Sequence, residues 1–137
     1  MIAIDTGVFV ALFNQRDPNH HAVQSALRTI QEPLITTYPV LTETCYFLLS
    51  RPGKLTPPEF LRQVSQGLVE IFQLQPGHLV RMIELMERYA DRPMDFADAS
   101  LVVLAEHLGH GRILTVDRSD FSTYRWNNNQ AFENLVL

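Results

Sequence analysis

Ile2-Ala3-Ile4-Asp5-Thr6-Gly7 stands at the head of the chain: three apolar residues, two of them β-branched, that stop at an acid and a glycine. A run of this kind fits a short buried strand, and Asp5 marks its end. The pattern returns near the other terminus, where Arg112-Ile113-Leu114-Thr115-Val116 leads straight into Asp117. The segments between alternate in period. Val8 to Phe13 read as a short helix that stops near Asn14, and Asp17-Pro18 reads as a cap followed by a first-turn proline, opening a helix over 19–30 with Ala22, Ala26, Leu27 and Ile30 as its stripe. A strand is expected over 33–37, then a helix from Pro39 to about Ser50, closed by Arg51-Pro52-Gly53. Thr56-Pro57-Pro58-Glu59 starts another helix, 69–74 reads as a strand, and 78–89 is amphipathic with Leu79, Met82, Ile83 and Met86 on one side. The most apolar helix covers 95–108 and ends at Gly109 and Gly111; a last strand is expected near 132–137. Asn127-Asn128-Asn129 reads as a plain polar loop. Strands alternating with helices imply a mainly parallel sheet covered on both faces, a three-layer α/β/α domain spanning 1–137, with no repeat, linker or low-complexity stretch.

The bulk composition agrees with one domain. The chain has 137 residues, 46% of them hydrophobic and 19% charged, enough apolar side chain for a sizeable core and too little charge for a disordered tail. No apolar run approaches the roughly 18 residues of a membrane span. The N-terminus lacks the basic region and apolar stretch of a signal peptide, so a cytoplasmic protein is expected. Cys45 is the single cysteine; in the apolar run Thr44-Cys45-Tyr46-Phe47 it reads as a structural thiol rather than a nucleophile. Net charge is −4, which excludes a nucleic-acid binder working by bulk charge alone. Setting aside Asp5, Glu43, Asp98 and Asp117 leaves acids and bases equal in number, and a bound divalent ion would partly neutralise that surplus. The five histidines show no zinc-type spacing with cysteine, and His20-His21 reads as surface.

The acids are the informative residues. In an open parallel sheet, sites gather at the carboxyl ends of the strands, so Asp5 and Asp117 are expected in one crevice. The competing reading of each is a helix cap or turn former. Glu43 has Val40, Tyr46 and Phe47 as helical neighbours; an acid in that company costs several kcal/mol unless paired or metal-bound, and the alternative is a solvent-facing Glu. Asp98 precedes the apolar helix core, with Leu101, Val102 and Ala105 at helical spacing. Asp95 reads as that helix's N-cap, with Asp98 in the first turn. Clustered carboxylates repel unless protonated or bridged by a cation, and hard oxygen ligands favour Mg²⁺ or Mn²⁺ over zinc. An ion so held suits phosphodiester hydrolysis. A phosphatase of another α/β class also carries Asp after its first strand, usually with a second Asp two positions on; Gly7 stands there instead. A binding module that keeps the fold and has lost cleavage is the other alternative, and the intact acid set counts against it.

Taken in order, Asp5-Thr6, then Thr36-Thr37-Tyr38-Pro39-Val40-Leu41-Thr42-Glu43, then Asp98-Ala99-Ser100-Leu101-Val102, then Leu114-Thr115-Val116-Asp117-Arg118-Ser119-Asp120-Phe121, the chain resembles the PIN-domain family, and more narrowly the VapC-like toxins of toxin–antitoxin systems. The resemblance covers nearly the whole chain. It implies a parallel sheet flanked by helices, Mg²⁺ or Mn²⁺ held by the acids, cleavage of single-stranded RNA, a homodimer, and inhibition by a small antitoxin. It implies direct ligation by Asp5 and Asp98, a third ligand or water positioner in Asp117, and a ligand or general base in Glu43. It further implies that Thr6 and Thr115 orient acids or bind phosphate, with Asp95 and Asp120 as extra acids. Arg118 and Arg125 are the local cations expected to meet RNA.

Overall fold

Ile2–Ile4 (β1) is a strand because nothing in it can face water: all three residues are buried. The computed structural model describes residues 1–51 and 55–136. β1 leads into helix Thr6–Leu12 (α1) and, after a turn, His20–Thr29 (α2). Leu34–Thr37 (β2) runs without a break into Tyr38–Ser50 (α3), whose proline sits in the first turn; Pro57–Ser65 (α4) and Glu70–Phe72 (β3) follow. His78–Arg88 (α5), Phe96–Leu108 (α6) and Arg112–Leu114 (β4) complete the second half. Arg118–Thr123 (α7), strands Arg125–Trp126 (β5) and Gln130–Ala131 (β6), and Glu133–Asn134 (β7) close the chain.

The sheet order is β3-β2-β1-β4-β7, with every pairing parallel; β5 and β6 form a separate antiparallel hairpin. Strand order reverses between β1 and β4, the switch point where open parallel sheets leave a crevice. The crossover connections lead away from β1 on either side of the reversal, and this arrangement puts helices on both faces of the sheet. α1 packs on α2 and α3, α5 packs on α6, and α3 also reaches α6. Phe9 and Phe60 meet edge to face at 5.2 Å, worth about 1 kcal/mol beyond the area they bury. α6 ends at Gly109 in the left-handed conformation, φ 76°, which glycine adopts without penalty.

The differences from expectation are local. Asp17 does not cap α2: its side chain accepts from the Asn19 N–H at 2.8 Å, and Asn19 takes the N-cap position. The Asp-Pro pair builds the turn before the helix rather than its first turn. His20 is buried, not on the surface, because the Ala11 carbonyl accepts from its Nδ1 at 2.7 Å; His21 is exposed. Helix α7 had no apolar periodicity to announce it. The polar loop is the turn of the β5–β6 hairpin: Asn127 and Asn128 take positive φ, which asparagine tolerates. Asn128 Oδ1 accepts from Arg81 and Arg88, and the Asn127 N–H donates to Glu106. Pro52 and Gly53, expected to close α3, and Leu137 at the end of the last strand lie outside the described residues. Cys45 is half-buried and burial pushes its thiol pKa up, opposite to what a nucleophile needs. Among the described residues no helix is long and apolar enough to cross a membrane.

Candidate active site

Asp5 and Asp117 emerge at the carboxyl ends of β1 and β4, neighbours across the switch point. Each caps the helix that follows. The Thr6 N–H donates to Asp5 Oδ1 at 2.7 Å, and the Asp120 N–H donates to Asp117 Oδ1 at 3.1 Å. Both also line one cavity of about 650 Å³, so capping and lining coincide. Thr115 ties them together: its hydroxyl donates to Asp5 Oδ2 at 3.0 Å and accepts from the Asp117 N–H at 3.0 Å.

The other acids arrive on helices. Asp95 is the N-cap of α6 and Asp98 its third residue, joined in a reciprocal capping box: the Asp98 N–H donates to Asp95 Oδ1 at 2.8 Å and the Asp95 N–H to Asp98 Oδ2 at 3.4 Å. Glu43 projects from α3 into the same cavity, half-buried, because α3 lies against both α1 and α6. Asp120 lines it too, but pairs with Arg92, whose Nη1 donates to Asp120 at 3.1 Å and to Ser119 at 2.9 Å. Arg118 stands exposed on the wall.

Proton affinities follow this geometry. Burial pushes Asp5 up to about 7, partly opposed by its bonds to Thr6 and Thr115 and reinforced by Glu43 and Asp117. Burial, then repulsion from Asp95 and Asp5, pushes Asp98 up to about 8. Glu43 is raised by burial and by Asp95, and Asp117 by burial and its contact with Asp120. Acids crowded out of water hold protons or accept a cation.

The donor set fits a hard divalent ion. It consists of carboxylate and hydroxyl oxygens, and among the described residues the buried Thr6 hydroxyl has no hydrogen-bond partner. Among the described residues no three His, Cys, Asp or Glu side chains are drawn together tightly enough to cage an ion. An open bowl with Asp5 deep, Asp98 and Glu43 half-buried and Asp117 exposed suits Mg²⁺, which keeps several waters and takes one or two carboxylates plus substrate phosphate. Gly7 also acquires a reason: a Cβ there would clash with the Val116 side chain, leaving no room for the second acid of a phosphatase-like pair.

The fold therefore brings Asp5, Thr6, Glu43, Asp95, Asp98, Asp117, Arg118 and Asp120 to one cavity, with Thr115 bonded beneath it. It does not bring Arg125. That guanidinium donates to the carbonyls of Ser122, Thr123 and Tyr124 at the end of α7. Two participants escaped sequence reasoning. Arg92 lies in the loop Asp91-Arg92-Pro93, and Tyr124 follows a polar stretch; no spacing links either to the acids. A second, apolar groove of about 860 Å³ adjoins the bowl and shares Glu43 and Asp95 with it.

Three comparisons bear on this arrangement. The model of the PIN domain matches residues 2–127. Ribonuclease VapC26 of Mycobacterium tuberculosis is 30% identical over 122 residues, covering 89% of this chain and 90% of that protein. The crystal structure of Mycobacterium tuberculosis VapC20, described as a sarcin-ricin loop cleaving toxin, superposes with a TM-score of 0.77 at 21% identity, over 88% of this chain and 94% of that one; at that identity the likeness is one of fold.

Proposed function

From the premise that this chain belongs to the PIN-domain family, we propose that it is a divalent-cation-dependent endoribonuclease, the toxin of a toxin–antitoxin pair, cutting RNA in the cytoplasm. The observation that carries the reading is the bowl itself: acids with raised proton affinity, set at the switch point of a parallel sheet and unneutralised by any lysine or arginine on Asp5 or Asp98 among the described residues. Its kinship with a protein named as a ribonuclease supports the choice of substrate.

Asp5 and Asp98 are the residues that would hold Mg²⁺ or Mn²⁺, with Asp117 as a third. A bound ion of this kind supplies Lewis-acid polarisation of a phosphate and lowers the pKa of a bound water. The chain's own residues set the stage. Thr115 holds the Asp5 carboxylate and the Asp117 backbone in fixed relation. Glu43, its pKa raised by burial, is suited to take a proton from the attacking water, since a base works best with a pKa nearer the working pH. The Thr6 hydroxyl, buried beside Glu43, can donate to a phosphate oxygen, and Arg118 offers a planar fork of donors at the wall.

The same reading brings two protein partners, a small antitoxin and a second copy of the chain. We place the second copy on the apolar groove, whose walls carry Tyr38, Tyr46, Leu79 and Phe96. Sedimentation of the free chain as a monomer would refute this placement. The cleavage reading is tested by incubating a mixed RNA pool with the chain and its Asp98→Asn variant in Mg²⁺, Mn²⁺ and EDTA. Cleavage that needs the cation and disappears in the variant is the expected result. RNA that survives the cation-loaded, antitoxin-free chain, cellular RNA included, would leave a binding module in its place.

A further inference from the structure

Tyr124 closes α7, has no exposed surface, and donates its hydroxyl to Asp98 Oδ2 at 3.2 Å. Its ring is locked edge to face against Tyr89 at 5.1 Å and Phe121 at 5.3 Å, and its backbone N–H is bonded to the Asp120 carbonyl at 2.9 Å. Neither ring nor backbone has room to follow a moving partner, so the hydroxyl is a fixed point. A buried tyrosine hydroxyl needs an acceptor, and here the acceptor is an acid of the bowl, 26 residues away in sequence.

The consequence falls on the two oxygens of Asp98. Oδ2 receives both the Tyr124 hydroxyl and the Asp95 N–H; among the described residues no donor reaches Oδ1. Within the capping box the Asp95 N–H holds Oδ2 only at 3.4 Å. Tyr124 adds a second, shorter bond to the same oxygen from outside the helix, at 3.2 Å. α7 also carries Asp117 at its other end as N-cap, so this six-residue helix sets one acid of the bowl and orients another.

We propose that Tyr124 is a positioning residue, which fixes the Asp98 carboxylate so that one oxygen stays committed to the protein and the other stays available to a divalent cation. This rests on the cation-binding reading of the bowl. Groups that orient a ligand to a metal, removed singly, typically cost roughly 10–100-fold in affinity or activity.

The test compares Mn²⁺ affinity, by calorimetric titration, of the full chain with its Tyr124→Phe and Tyr89→Phe variants, alongside their melting in EDTA. Both variants keep the aromatic cluster; Tyr89 spends its hydroxyl on the Arg125 N–H and touches no acid of the bowl. Tyr124→Phe is expected to weaken Mn²⁺ binding roughly tenfold or more while melting cooperatively near the wild-type temperature, and Tyr89→Phe to bind as wild type. Wild-type affinity in Tyr124→Phe overturns the proposal, as does loss of cooperative melting in that variant, which would make the hydroxyl part of the fold. Equal weakening in both variants also overturns it, by tracing the effect to the aromatic cluster. Failure of the wild-type chain to bind Mn²⁺ at all would overturn the cation reading and the positioning role with it, a result distinct from the others.

Discussion

The two ends of the sheet treat their acids in opposite ways. At the amino ends of the strands, Glu32 lies between the Met1 amino group, 3.0 Å away, and the Arg112 guanidinium, whose Nη2 donates at 2.9 Å. These cations hold its carboxyl down to about 2. At the carboxyl ends, burial, reinforced by neighbouring carboxylates, pushes Asp5 up to about 7 and Asp98 up to about 8. One end is balanced within the protein. The other is balanced only by protons or by something that binds, and a fold that leaves acids in this state has kept a site rather than a stabilising contact. Within the bowl, Asp120 repeats the lesson: among the described residues it is the acid there that forms an ion pair, with Arg92.

The contrast is most open to attack through catalysis. Asp98→Asn is expected to lower RNA cleavage by at least roughly a hundredfold, the scale of losing one group that stabilises charge in the transition state, whereas Glu32→Gln should leave the cleavage rate unchanged. Equal losses in the two variants, measured on one RNA substrate, would erase the distinction between the ends.

Next in size is the response to a cation. At pH 8, Mg²⁺ or Mn²⁺ at a hundred times its dissociation constant should stabilise the wild-type fold by about 2.7 kcal/mol, read as a rise in melting temperature that EDTA reverses. Glu32→Gln should show the same rise and Asp98→Asn little or none.

Acid titration sharpens the comparison further. Asp5 and Asp98 bind protons more tightly in the folded chain than at their ordinary value of 3.8. Their contribution favours folding fully below that pH and is lost as pH rises through about 7 and 8, at up to roughly 1.4 kcal/mol per pH unit for each group. Glu32 runs the other way: its contribution is present above 4.5 and is lost as pH falls toward about 2. Metal-free protein followed by thermal melting should therefore lose stability from these groups progressively between about pH 4 and about pH 8, and Asp98→Asn should flatten that slope. The smallest effect expected is a slight lowering of the melting temperature by Glu32→Gln at neutral pH, because its pair is exposed and screened.

The carboxyl-end half of this contrast could be read from the chain before its fold was known; Glu32 and its partners, 31 and 80 residues apart in sequence, could not. Ile2 to Ile4 and Arg112 to Leu114 announce strands by β-branched and apolar runs ending in acids, and Asp95 with Asp98 announces a helix start. The sheet, its helices and the company of Asp5, Glu43, Asp98 and Asp117 follow from such local signals. What stayed hidden depends on long-range contact. His20 is buried because α2 folds back on α1, which no residue near it encodes. Arg92 and Tyr124 reach acids 28 and 26 residues away. α7 and the hairpin beyond it are held by caps and side-chain bonds, as when Arg125 turns to backbone carbonyls, and such segments carry no periodicity.

The most direct test of the difference between the two ends is an anomalous difference map from crystals grown with Mn²⁺ at pH 8. A single strong peak bonded to the carboxylates of Asp5 and Asp98, and none beside Glu32, is the expected result. Mn²⁺ bound elsewhere, with both aspartates unligated, would contradict the assignment of the unpaired acids to a cation.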